Sequence, residues 1–127
     1  MAAPDPRPAV WVGHVTMKVP DVKASREFCI AIGMRDVVLT DDGVCVLELR
    51  GGTHLVLLPG EEPIPANTPA PFDLMVDDIS ATREQFVAAG LNPGEMREGS
   101  IHQHFTLKEP GGHVFTVNST HVTDQPV

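Results

Sequence analysis

The side chains best able to do chemistry in this 127-residue sequence are histidines placed on strand-like segments. His14 stands in VGHVTMKVPDV, residues 12 to 22, where apolar Val15, Met17 and Val19 alternate with Thr16 and Lys18. A period of two puts His14, Thr16 and Lys18 on one polar face. In IHQHFTLK, residues 101 to 108, His102, His104 and Thr106 share a face, and Phe105 and Leu107 take the other. His54 follows a Gly-Gly turn, and Glu48 and Asp73 also fall on the polar side of strand-like runs. Neutral imidazoles combined with a carboxylate suit Zn, Fe, Ni or Cu, so His14, His54 and His104, with Glu48, form a chemically reasonable metal set. The same side chains can instead hydrogen-bond an organic ligand in a cleft. His54 is expected to be solvated beside its turn. His113 and His121 are expected at the surface, one at a turn and the other in the tail.

The elements that position these residues follow from an internal duplication. VPDVKASREFCIAIGM, residues 19 to 34, overlies VDDISATREQFVAAGL, residues 76 to 91, without a gap at an offset of 57 residues. Asp21 meets Asp78, Arg26 meets Arg83 and Gly33 meets Gly90. Two copies at so long a period indicate paired half-domains, not a solenoid. Each copy opens with a strand, Val15 to Val19 or Phe72 to Val76. A helix follows, predicted over Val22 to Ile32 and over Ile79 to Ala89. Asp21 and Asp78 stand where a carboxylate accepts the free N–H groups of a first helical turn. Val22, Cys29 and Ile32 share one face of the first helix, as Ile79, Phe86 and Ala89 do in the second.

Three strands are then expected in each copy: Arg35 to Thr40, Val44 to Arg50 and Thr53 to Leu58, then Glu95 to Glu98, Ile101 to Lys108 and His113 to Asn118. Asp42-Gly43, Gly51-Gly52 and Glu109-Pro110-Gly111-Gly112 supply the turns. The proline-rich segment 59–71 reads as a linker between a first module over 9–58 and a second over 72–118, with a weakly structured tail at 119–127. The fold class is therefore α+β: two βαβββ modules forming a curved mixed sheet around a cleft, with helices on the convex face. Trp11, at the strand entry, is expected to pack, either in the core or in a dimer contact, in preference to acting as a lid over the cleft.

Composition narrows the function. With 42% hydrophobic and 20% charged residues the chain is soluble and globular in type. A net charge of −8 repels nucleic-acid phosphates and anionic membranes, so neither is an expected partner. The first ten residues lack a signal-peptide pattern and no apolar run approaches ~18 residues, which points to the cytoplasm. The two cysteines, Cys29 and Cys45, lie in apolar stretches and read as buried thiols in a reducing compartment. No nucleophile-elbow serine and no phosphate-cradling glycine loop is present.

The doubled βαβββ unit, opening on GHVTMKVPDVKASREF and closing on LKEPGGHVFTV, resembles the vicinal oxygen chelate superfamily of glyoxalases, extradiol dioxygenases and bleomycin resistance proteins. The resemblance covers roughly residues 9 to 118 and specifies fold far better than reaction. It implies a cleft metal held from the first and last strand of each module, which carries two neighbouring substrate oxygens. The four positions fall on His14, Val56, Pro71 and Thr116, and only the first can serve as a usual ligand. The resemblance therefore favours a homodimeric, metal-free binder of a small organic molecule, with His14, Glu48, His54, Asp73, His102, His104 and Thr116 lining the cleft. Its alternative is a metal-dependent lyase, isomerase or dioxygenase with one divalent ion (Zn, Fe, Ni or Mn) on relocated ligands His14, His54 and His104. A third possibility is a protein that acts through its dimer surface alone. Five Phe, one Trp and no Tyr give few stacking platforms, so bleomycin itself is not the expected ligand.

Overall fold

The computed structural model describes residues 3–127; Met1 and Ala2, part of the N-terminal stretch read for targeting signals, lie outside them. Strand β1 (His14–Val19) leads into helix α1 (Val22–Ala31), then β2 (Arg35–Leu39), β3 (Cys45–Glu48) and β4 (His54–Pro59). Strands β5 (Thr68–Pro69) and β6 (Leu74–Val76) precede helix α2 (Ile79–Ala88), β7 (Arg97–Glu98), β8 (Gln103–Lys108) and β9 (His113–Ser119). The first module's sheet has the order β1-β4-β3-β2, and the second has β5-β9-β8-β7 with β6 also on β9. In each sheet the first strand lies parallel to the last, and the remaining pairs are antiparallel. Backbone pairing thus gives each module its own mixed sheet, and the two together make the expected α+β fold.

Both helices begin and end as their sequences dictate. Asp21 accepts from the Ala24 N–H at 3.1 Å, and Asp78 accepts from the Ala81 N–H at 3.0 Å. Each such cap contributes about 1 kcal/mol. Gly33 and Gly90, at φ of 116° and 77°, make the left-handed exits that a side chain would strain. The helices bury Val22, Phe28 and Cys29, and Ile79 and Phe86, against the sheets, while Ile32 is only half-buried and Ala89 is exposed. Phe86 meets Phe105 edge to face at 6.0 Å between centroids, and Phe28 of the first module reaches Phe115 of the second at 6.3 Å. The core is thus shared by the two modules, and each buried aromatic removes enough apolar surface from water to contribute roughly 1.5–3 kcal/mol.

Strand ends shift by one or two residues in several places, and three differences are larger. Strand β3 stops at Glu48, because Arg50–Gly52 winds into a single tight turn. The segment read as linker to residue 71 contains strand β5, whose Thr68 and Pro69 pair with His113 and Val114. The second module's opening strand is broken: Pro69 pairs with Val114 and Leu74 with Val117, so two residues bulge out between them. The offset of 57 therefore holds from Leu74 onward (Met17 onto Leu74). Before the bulge it is 55, and His14 corresponds to Pro69 and not to Pro71. Trp11 is 71% exposed on the chain, so of the two packing roles expected for it the structure removes the one in the core.

The modules also join through buried polar contacts. Ser25 on α1 donates to Glu109 Oε2 at 2.7 Å, and Glu109 Oε1 accepts from the His113 backbone N–H at 3.1 Å. His113 Nδ1 lies 3.3 Å from the same oxygen. His113 is therefore buried, contrary to its expected surface position. Its side chain shares the core-facing side of β9 with Phe115 and Val117.

Candidate functional site

On the first sheet the candidate residues form one cross-strand row. His14 pairs with His54, His54 with Glu48, and Glu48 with Arg35, so four side chains line up across β1, β4, β3 and β2. Period-two alternation puts Met17, Leu47, Leu55 and Leu57 on the core side and leaves this row on the other. His54 Nε2 donates to Glu48 Oε2 at 2.9 Å, and Arg35 donates to Glu48 Oε1 at 2.8 Å. His54 is accordingly half-buried and bonded, not freely solvated as expected. The His14 and His54 rings stand 5.9 Å apart. The hydrogen bond from His54, with the Arg35 charge adding to it, holds the Glu48 carboxyl below its ordinary value against a smaller opposing effect of burial.

The hydrogen bond to Glu48 fixes which ring nitrogen of His54 donates. A nitrogen facing a carboxylate oxygen must donate, so in the neutral ring Nδ1 is left as an acceptor. His14, exposed at the strand's start, keeps both ring nitrogens available. The row thus offers an acceptor, a second imidazole and an anchored carboxylate.

The second sheet carries a second row. Arg97 pairs with His104, His104 with Asn118, and Asn118 with Met75. Asn118 Nδ2 donates to Asp73 Oδ2 at 3.1 Å, which ties the broken opening strand to the last one. Asn118 is 3% exposed and its Oδ1 has no partner; the buried Nδ1 of His102 has none either. His102 lies 6.2 Å from His104 and 5.5 Å from His121, ring centre to ring centre, so the tail returns to the histidine pair. Thr116 is half-buried and pairs with Thr106.

The residues fit the superfamily's metal poorly. Val56 sits opposite Thr16, and His14 faces His54. Pro69, which takes the place of His14 in the second module, has no side-chain donor. Among the described residues no three His, Cys, Asp or Glu side chains stand close enough to hold an ion. The relocated set is split in the same way: His14 and His54 are neighbours on the first sheet, and His104 lies on the second.

A further cavity lies elsewhere. It measures about 730 Å³ and runs between the turn at 49–52 and the face formed by β6 and α2; of the expected cleft residues it touches only Asp73. A smaller one of about 470 Å³ borders Arg35 and Glu48 at the end of the histidine row. Arg35 and Asn118 were not anticipated. Arg35 opens a strand two residues after the helix-ending Gly33, and pairing β2 with β3 would have placed it beside Glu48. Asn118 is the last polar residue on the same face of β9 as Thr116, and that parity was readable.

A sequence profile of the family described as glyoxalase-like domain matches residues 13–118. No curated protein sequence gives a significant match. Lactoylglutathione lyase from Agrobacterium tumefaciens shares the fold at a TM-score of 0.73 and 16% identity, over 91% of this chain and 97% of that one. The genomically encoded fosfomycin resistance protein from Listeria monocytogenes aligns at 0.72 and 14% identity, over 87% and 90%. A glyoxalase/bleomycin resistance protein/dioxygenase from Alicyclobacillus acidocaldarius aligns at 0.69 and 15%, over 87% and 92%.

Proposed function

The chain belongs to the glyoxalase-like domain family, and from that premise we propose that it binds a small polar organic molecule in the concave cleft without the family's metal quartet. The observation that carries the reading is the row His14–His54–Glu48–Arg35, in register across four strands and bonded through Glu48. Such a row fixes its donors and acceptors before a ligand arrives, which lowers the ordering cost of binding. The free Nδ1 acceptor of His54 favours a ligand that presents a hydroxyl, amide or amine proton there. His102, His104, Asp73 and Thr116 supply the contacts from the second sheet in this reading. A homodimer and a cytoplasmic location belong to the same proposal; among the described residues no helix is long and apolar enough to cross a membrane.

The test is a ligand-observed NMR screen of small hydroxy and amino compounds against the wild type, His54→Ala and Glu48→Gln. Compounds that bind the wild type should lose about tenfold in affinity in each variant, the effect of one lost charge-assisted contact. Equal binding to all three proteins would remove the row from the site. The second reading, a metal-dependent lyase, isomerase or dioxygenase, draws support from the His14–His54 neighbourhood alone. It needs a third ligand brought to that pair from another element.

A further inference from the structure

The two inter-module junctions are built on one plan and finished differently. In the second module's turn the Glu109 N–H donates to the His113 carbonyl at 2.9 Å, and the Gly112 N–H to the Glu109 carbonyl at 3.1 Å. In the first module's turn the Leu49 N–H donates to the Thr53 carbonyl at 2.8 Å, and the Gly52 N–H to the Leu49 carbonyl at 3.1 Å. Leu49 is therefore the counterpart of Glu109, and Thr82 on α2 is the counterpart of Ser25 on α1. Where Ser25 meets Glu109 the junction is closed by a buried hydrogen bond. Leu49 has no group that can bond the Thr82 hydroxyl, and at this junction the 730 Å³ cavity opens.

The cavity's walls and charges define what it would take. Met34, Leu49, Leu74, Phe86 and Val117 make an apolar wall, and its volume lies within the ~300–1,000 Å³ of small-molecule sites. Three carboxylates border it, Asp73, Asp77 and Asp78, against one cation, Arg50. Arg50 is already paired with Asp77, at 2.7 and 2.9 Å. Asp78 caps α2, and Asp73 accepts only from the neutral amide of Asn118. Among the described residues Asp73 has no cationic partner, and it stands beside the apolar wall. The net charge of −8 biases the same way.

We propose that this junction cavity is a second binding site, distinct from the histidine row, for an amphiphilic organic cation: an apolar body against Leu49, Leu74 and Phe86, and an ammonium group at Asp73. It shares Asp73 with the second-sheet side of the proposed cleft and no residue with the row His14–His54–Glu48–Arg35, so shifts at 49–52 against shifts at 14 and 54 tell the two sites apart.

The probe is 4-phenylbutylammonium, with 4-phenylbutanol and 4-phenylbutanoate as neutral and anionic controls of the same shape. Backbone amide shifts of the full chain are followed by NMR. The cation should bind saturably, with shifts at 49–52, 74–78 and the first half of α2, and about tenfold more tightly than either control. Thr82→Phe, which fills the cavity, should abolish the shifts. Asp73→Asn should cut the cation's affinity toward that of the alcohol, and it keeps the proposal testable if Thr82→Phe fails to fold. Equal affinity for cation and carboxylate, no saturable binding, or shifts centred on residues 14 and 54 would each overturn the proposal.

Discussion

Ser25→Ala isolates the contact that locks the two modules together. Ser25 is fully buried, the Glu109 side chain is fully buried, and their oxygens stand 2.7 Å apart. Removing the hydroxyl leaves Glu109 Oε2 without a donor in a place water does not reach. Hydrogen bonds to charged groups contribute about 1.5–3 kcal/mol, and an unsatisfied buried partner loses the whole of it. Hydroxyl removal leaves only a small void, so no large cavity cost adds to this. The expected loss is therefore ~2 kcal/mol, or a fall in Tm of roughly 8 °C at ~4 °C per kcal/mol for a domain of this size. Urea denaturation at pH 7 reads it directly, with the midpoint moving and the slope unchanged. Glu109→Gln paired with Ser25→Ala in a double-mutant cycle should return a coupling energy of at least ~1 kcal/mol. A Ser25→Ala loss below ~0.5 kcal/mol, the range of ordinary surface substitutions, would refute the buried link.

Asp21→Ala and Asp78→Ala should each cost about 1 kcal/mol in urea unfolding, since each removes one helix cap. Glu48 has a depressed pKa in the folded chain, so its contribution is present above its ordinary value of 4.5 and is lost as pH falls through the lower folded value. The stability gap between wild type and Glu48→Gln should accordingly be widest above pH 4.5 and close on acidification, as followed by urea midpoints. Burial pushes the Cys29 thiol up to about 12, so a disulfide reagent at pH 8 should label it only after urea unfolding.

Much of the fold was legible because the signals were local and doubled. Asp21 and Asp78, Gly33 and Gly90, and the alternation of Met17, Val19, Phe105 and Leu107 each report a backbone need that the same few residues satisfy. The broken strand was not legible. A two-residue bulge between Pro69 and Leu74 leaves the helix alignment intact and shifts only what precedes it, so an ungapped match assigned His14 the wrong partner. His113 was misread for a related reason. Next to a Gly-Gly turn it looks exposed, and only the parity of β9 and the arrival of α1 from the other module bury it. His14, Glu48 and His54 were placed on the correct face by alternation, but which of them meet depended on strand register. His104 lies on a separate sheet because the two modules do not pair their strands, a non-local fact that no window of sequence contains.

The central claim is that the row His14–His54–Glu48–Arg35 holds an organic ligand with no metal between them. The direct measurement is a calorimetric titration of a screened ligand into the untagged wild-type protein, once with an excess of chelator and once after dialysis against Zn, Ni, Mn and Fe in turn. The account predicts the same affinity under every condition, reduced about tenfold in His54→Ala. Binding that vanishes in chelator and returns with one equivalent of metal per chain, dependent on His14 and His104, would contradict it.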